Sequence, residues 1–209
     1  MPWKRERERL DGLLYYERIL RSFGYCSIAG VDEAGRGPLA GPVVASAVVL
    51  PDSVWLPGLR DSKLLSASQR ENLYPHIVSC ASAVGTGIVD HDMIDKINVL
   101  NATRLAMQKA VLSLLPPPDY LLVDALRLTQ LPIDQTGIVH GDRLSLSIAA
   151  ASVVAKVTRD RIMVRYHHQY PEYNFLSHKG YGTEEHLKKI RELGACPIHR
   201  KTFKGVVEV

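Results

Sequence analysis

Four carboxylates stand at or just past the ends of apolar runs in this 209-residue chain. Ile28-Ala29-Gly30-Val31 leads into Asp32 and Glu33, Tyr120-Leu121-Leu122-Val123 into Asp124, and the run from Ile133 to His140 into Gly141-Asp142. Such runs read as short buried strands, and a carboxylate where the core should be apolar is costly unless a cation offsets it. The ends of separate strands can converge at one edge of a sheet. Four converging carboxylates repel one another, and hard divalent cations with oxygen ligands are the usual resolution. Two such ions roughly 4 Å apart activate a water and stabilise the leaving oxygen in phosphodiester cleavage. Neighbours on a regular strand face opposite sides, so Asp32 and Glu33 share a site only if the strand twists or ends between them. Any one of these acids alone is more often a solvated strand end, and Asp142 is placed to cap a following helix. Their combination with a glycine loop and a basic C-terminal third points to a metal-dependent nuclease.

The loop is Gly35-Arg36-Gly37-Pro38-Leu39-Ala40-Gly41. Glycines let the backbone turn sharply or approach a large ligand, which suggests a phosphate contact beside the acids. Gly35-x-Gly37-x-x-Ala40 also matches the dinucleotide fingerprint in form. That fingerprint needs a helix after it, whereas Pro38, Gly41, Pro42 and a β-branched run follow here. No Gly-Lys-Ser/Thr follows either, so it is not a P-loop. Net charge is +4, unevenly spread: His140–Val209 carries 12 Lys and Arg against 7 Asp and Glu, the preceding residues 14 against 15. A basic C-terminal third suits a polyanionic partner.

The elements that must position these residues follow from periodicity and turn signals. Pro2–Arg21 predicts one amphipathic helix ended near Gly24, packed on the outside with no chemistry of its own. Ser27–Asp32 and Pro42–Pro51 predict an antiparallel strand pair. Ser66-x-x-Gln69 has the form of a capping box opening a helix that Pro75 should kink or shorten. Ala83–Val89 is a strand candidate broken by Gly85 and Gly87. Asp90–Ile97 and Asn98–Leu115 read as helices, and Tyr120–Asp124 and Ile133–His140 as strands. Ser145–His168 reads as a long helix whose small first half can lie close to a sheet. His178-Lys179-Gly180-Tyr181-Gly182 is a glycine-flanked loop, and Thr183 caps a helix to Leu193.

Length fits one α/β domain. Cys26, Cys80 and Cys196 form no CxxC pair, so neither zinc cluster nor disulfide framework is expected. The charged N-terminus lacks the apolar core of a signal peptide and no run is long enough to span a membrane, so a cytoplasmic location is expected. Nothing requires more than a monomer, and Gly205–Val209 carries no clear signal for a partner.

Val31-Asp32-Glu33-Ala34-Gly35-Arg36-Gly37-Pro38-Leu39-Ala40-Gly41-Pro42-Val43 closely resembles the signature of bacterial type 2 ribonuclease H (ribonuclease HII). Asp61-Ser62-Lys63-Leu64-Leu65-Ser66, Leu122-Val123-Asp124, Gly141-Asp142 with Ser147–Ser152 and Ala155–Asp160, and His178-Lys179-Gly180-Tyr181 match its later blocks in order. The resemblance implies an RNase H-like fold: a mixed central β-sheet flanked by helices, with a helical C-terminal part from about residue 170 and an N-terminal helical extension to about residue 24, all within a single domain. It implies cleavage of the RNA strand of RNA–DNA hybrids and at single ribonucleotides in duplex DNA, leaving 3′-hydroxyl and 5′-phosphate ends. Asp32, Glu33 and Asp124 would be ligands of Mg²⁺ or Mn²⁺, two ions being expected with substrate, and Asp142 would complete the acidic site. Gly35, Arg36 and Gly37 would hold the ribonucleotide through backbone contacts, and Tyr181 would stack on the following deoxyribose. Ser62, Lys63, Lys156, Lys179 and Arg200 are candidate phosphate contacts; for Lys156, and for His199, a purely structural place is the stronger reading. Three departures from the family pattern are Ala125 where glycine is usual, His140 where lysine is common, and Pro75 within a helix. None removes a carboxylate, so an active enzyme is expected.

Overall fold

The computed structural model describes residues 2–206. A five-stranded mixed sheet in the order β3-β2-β1-β4-β5 organises it. β1 (Ile28–Ala34) and β2 (Val43–Val49) are antiparallel, as the glycine loop between them predicts, and β3 (Ala83–Val89) pairs antiparallel with β2. β4 (Tyr120–Asp124) lies parallel to β1 on its other side, and β5 (Asp134–Ile138) parallel to β4. The register puts Val31 opposite Val123, so Asp32 and Asp124 emerge side by side at the carboxyl ends of the two strands.

Small residues set how closely the flanking layers approach. On one face α5 (Val99–Leu112) packs with Ala102, Ala106 and Ala110 against Ala45, Ala47 and Val49. Gly85 and Gly87, expected to break β3, leave it continuous; a Cβ on either would lie about 2 Å from a carbonyl oxygen of α5 (2.1 Å from Ala110 O, 2.0 Å from Ala106 O). On the other face lies the 24-residue α6 (Leu146–Gln169), whose Ala149, Ala150, Ala151, Val153 and Val154 share a core with Val48 and Leu50. Gly30 of β1 permits that approach, since a Cβ there would sit 2.1 Å from the Ser147 carbonyl carbon.

α3 (Ala67–Cys80) opens on the expected Ser66–Gln69 capping box. It runs through Pro75 to Cys80 rather than stopping there, so the proline does not shorten it. α4 (His91–Ile97) precedes α5. The N-terminal segment is two helices, α1 (Pro2–Leu13) and α2 (Tyr15–Ser22), divided by a turn at Leu14. It is also more than an outer layer. Glu17 is buried and accepts hydrogen bonds from the Ser145 hydroxyl (2.7 Å) and from the Ser147 amide and hydroxyl (3.0 and 2.6 Å). A carboxylate at the N-terminus of α6 satisfies open N–H groups and opposes the positive end of the helix dipole. The cap proper is Ser145, whose Oγ accepts from the Ile148 amide, and not Asp142.

The C-terminal part, α7 (Phe175–His178) and α8 (Glu184–Leu193), wraps a small core of Tyr173, Phe175, Ile190, Cys196 and Ile198. Leu39 and Ala40 of the glycine loop belong to the same core, which ties the two regions together. Among the described residues no helix is long and apolar enough to cross a membrane. The end of the Gly205–Val209 tail lies outside the described residues.

Candidate metal centre and nucleic-acid interface

Asp32, Glu33 and Asp124 each offer a carboxylate oxygen within 4.8 Å of the others. Asp32 is buried on β1 and its Oδ1 accepts the Glu33 amide at 2.7 Å. The strand neither ends nor breaks there; it continues to Ala34. Asp124 Oδ1 accepts the Gly141 amide at 2.7 Å, tying β4 to the turn that carries Asp142.

Burial, then the charges of Glu33 and Asp124, push the Asp32 carboxyl well above its ordinary range, against a Ser152 hydroxyl and the Glu33 amide that favour the anion. Burial likewise raises Glu33, with Arg36 opposing it through a 3.3 Å contact. Glu33 Oε2 is buried without a hydrogen-bond partner among the described residues. An all-oxygen donor set, crowded, desolvated and holding one unpartnered oxygen, fits a hard divalent cation.

Asp142 is not one of the three that converge. It is buried in a 3-10 turn at Gly141–Arg143, against Asp61 and 3.5 Å from Lys63 Nζ. Burial and the Asp61 charge raise its carboxyl, while Lys63 opposes. Asp61 goes the other way. Burial acts upward on it, but the Lys63 amide (2.9 Å), the Arg143 guanidinium (3.1 Å) and a hydrogen bond with Asp142 outweigh that. The two neighbouring carboxyls are thus pushed in opposite directions, Asp142 upward and Asp61 downward. Sequence reasoning gave Asp61 no role, although it opens the Asp61–Ser66 block five residues before the Ser66 helix cap.

The expected substrate contacts separate into two groups. Arg36 and Gly37 are exposed, Gly35 is buried beneath them at φ 98°, and the Tyr181 ring, 44 % exposed, faces Gly37, where an added Cβ would meet Tyr181 Cε1 at 3.8 Å. Lys63 is exposed at the acid centre, and Lys156, ion-paired with Asp160 at 2.7 Å, lies 5.9 Å from the Tyr181 ring centroid. Lys179 is half-buried and donates to the Leu176 carbonyl. Ser62 is not available to a phosphate: it is buried, and its hydroxyl pairs with Ser152 Oγ at 2.8 Å, behind Asp32. Arg200 is fully buried and likewise cannot meet a phosphate directly. His199 is buried in the C-terminal core.

Ala125, which follows Asp124, adopts φ 53°, and its amide donates to the Ile138 carbonyl at 2.9 Å. A left-handed alanine costs about 1 kcal/mol. Replacing it with glycine removes that strain but adds unfolded-chain entropy. Ala125→Gly is therefore expected to gain about 0.5 kcal/mol, read as a higher urea midpoint with unchanged slope; a lower midpoint would contradict the strain.

A model of the family described as ribonuclease HII matches residues 29–206. The ribonuclease HII of Geobacter metallireducens is 57% identical over 193 residues, 92% of this chain and 91% of that protein. That of Geotalea uraniireducens is 56% identical over 201 residues, 96% and 93% of the two chains. Among solved structures, the ribonuclease H2 from Pyrococcus horikoshii OT3 superposes with a TM-score of 0.71 at 27% identity, covering 86% of this chain and 95% of that one. Bst-RNase HIII, solved in complex with Mn²⁺, shares the fold at a TM-score of 0.66 and 18% identity, over 89% and 70% of the chains.

Proposed function

This chain belongs to the ribonuclease HII family, and from that premise we propose that it cuts the RNA strand of RNA–DNA hybrids and also duplex DNA 5′ of a single embedded ribonucleotide. It is a ribonuclease H, a metal-dependent endonuclease. The observation that carries the finer reading is the juxtaposition of two surfaces: three converging carboxylates, and a glycine loop with a tyrosine ring over it.

Asp32, Glu33 and Asp124 would hold two divalent ions, Mg²⁺ or Mn²⁺. Bound there, such ions would supply Lewis-acid polarisation of the scissile phosphate and activation of a water, consistent with 3′-hydroxyl and 5′-phosphate ends. Lys63, whose ammonium is held charged by Asp142, Asp32 and Asp61 against the pull of burial, faces the same edge and suits a phosphate. Asp142, buried beside Asp61 and 3.5 Å from Lys63 Nζ, would complete the acidic site at the edge of the three converging carboxylates.

The glycine loop supplies what a side chain would obstruct. Main-chain groups at Arg36 and Gly37 can reach a 2′-hydroxyl, the atom that separates RNA from DNA. Tyr181 would pack on the next sugar, where a missing 2′-hydroxyl leaves room for the ring. Together they would read an RNA–DNA junction rather than a base sequence.

A matched panel tests this: an all-DNA duplex, an RNA–DNA hybrid, and duplex DNA with one ribonucleotide. Cleavage is expected of the last two, 5′ of the lone ribonucleotide, with Mg²⁺ or Mn²⁺ and not with EDTA. Cutting of the all-DNA duplex, or cleavage that survives EDTA, would overturn the assignment.

A further inference from the structure

Two arginines are completely buried without a carboxylate within ion-pair distance among the described residues: Arg159 of α6 and Arg200 beyond α8. Each spends its donors on backbone carbonyls. Arg200 donates to Gly35 O (2.6 Å), Arg36 O (2.9 Å) and Gly41 O (3.0 Å from Nε, 2.9 Å from Nη2). Arg159 donates to Ala40 O (3.1 Å), Pro42 O (3.0 Å) and Lys179 O (3.1 Å). One guanidinium therefore grips the start and end of the glycine loop. The other joins that loop to the segment carrying Tyr181.

A buried charge is expensive and is ordinarily matched by an opposite one. Here the hydrogen-bond partners are all carbonyl dipoles, with the Phe203 and Tyr181 rings 5.0 and 6.0 Å from the guanidinium carbons of Arg200 and Arg159 and with Asp95 and Asp160 acting from beyond ion-pair distance; the far side of the loop is the one these carbonyls turn away from. Peptide geometry gives that side its character. In a trans peptide the N–H points opposite the carbonyl of the preceding residue. The one cis bond among the described residues is Leu115–Pro116, far from this loop. With the Gly35 and Arg36 carbonyls drawn inward by Arg200, the amides of Arg36 and Gly37 are aimed outward. Neither amide has a protein partner among the described residues.

We propose that Arg200, assisted by Arg159, is the positioning residue that turns the Arg36 and Gly37 amides toward the substrate and sets a positive charge beneath them, so that they engage the ribose hydroxyl and phosphate of a ribonucleotide. This rests on the substrate reading above. It assigns Arg200 no contact with nucleic acid; the side chain acts only through the loop.

Steady-state cleavage of the single-ribonucleotide duplex by Arg200→Lys and Arg200→Gln tests it. KM is expected to rise about tenfold in Arg200→Gln and less in Arg200→Lys, which keeps the charge and one or two of the bonds, while kcat stays within about threefold. Damage to folding alone would reduce kcat through the fraction of active molecules and leave KM unchanged, and that result would overturn the proposal. A second measurement on the unaltered protein covers the case in which neither variant folds. In EDTA, the amide resonances of Arg36 and Gly37 are expected to shift on adding the ribonucleotide duplex and to shift less with the all-DNA duplex. Absent shifts with the ribonucleotide duplex bound would overturn the role of these amides. If the unaltered enzyme shows no preference between the two duplexes at all, the substrate reading fails, and the proposal with it.

Discussion

Asp32→Asn is expected to reduce cleavage by at least about a thousandfold, about 4 kcal/mol of barrier, while the fold becomes more stable. Both halves follow from the same crowding. Asp32 is 4 % exposed, and burial and the charges of Glu33 and Asp124 hold its carboxyl high. Asparagine keeps an oxygen to accept the Glu33 amide and keeps the volume, but it removes one anionic ligand and one repulsive charge. With EDTA present at pH 8, the variant should unfold at a higher urea concentration than the parent, by an amount of order 1 kcal/mol. A readout independent of catalysis separates a metal role from a general electrostatic one. A cation that binds only the folded chain raises its melting temperature by mass action. Millimolar Mg²⁺ or Mn²⁺ should raise that of the parent and not that of Asp32→Asn. Turnover close to the parent's, or an intact metal-dependent rise in melting temperature, would remove Asp32 from the centre.

The strand-end acids were legible because a carboxylate at the end of an apolar run departs from a local pattern. Their meeting was not. It depends on β4 crossing to lie parallel beside β1 with Val31 opposite Val123, a strand order that no local signal carries. Asp142 shows the limit more sharply. Its position before a helix reads as a cap, yet Ser145 takes that role and Asp142 turns toward Asp61, 81 positions away. Glu17 and Arg200 were illegible for the same reason. Each looks like a surface charge in its own segment, and each is buried against backbone or hydroxyl groups far along the chain. Gly85 and Gly87 erred in the opposite direction: local propensity says break, while close packing of α5 says continue.

Acid should loosen the C-terminal part before neutral-pH stability would suggest, because three buried imidazoles there have no free nitrogen for a second proton. The hydrogen bonds determine their tautomers. His186 Nδ1 lies 2.9 Å from the Tyr181 carbonyl, which only accepts, so Nδ1 carries the proton. His186 Nε2 must then accept from His199 Nε2 at 3.0 Å. His199 Nδ1 in turn accepts the Cys196 amide at 2.9 Å. His178 donates from Nε2 to the Tyr173 carbonyl (2.8 Å) and accepts the Gly180 amide at Nδ1 (3.1 Å). Adding a proton to any ring sets two donors against each other. Burial is the first cause of the low values, about 4 for both His186 and His199, and it also lowers His178. The sign follows from a folded value below the unfolded 6.5: the folded state binds fewer protons, so stability present above pH 6.5 is lost as pH falls toward 4. For one ring the gap amounts to roughly 3 kcal/mol at most. Asp32 and Glu33 act in the opposite sense, since their raised carboxyls favour the folded state as they protonate. The comparison is therefore made within one background. Urea midpoints of Asp32→Asn and of Asp32→Asn with His186→Gln, measured from pH 7.5 to 4.5, should converge as pH falls, because the glutamine cannot take up a proton. Parallel curves would show that the imidazoles carry none of the acid sensitivity. Because His178 and His186 hold Gly180 and Tyr181 directly, hydrogen exchange in the Lys179–Gly182 segment should speed up across the same interval, ahead of exchange in β1 and β4.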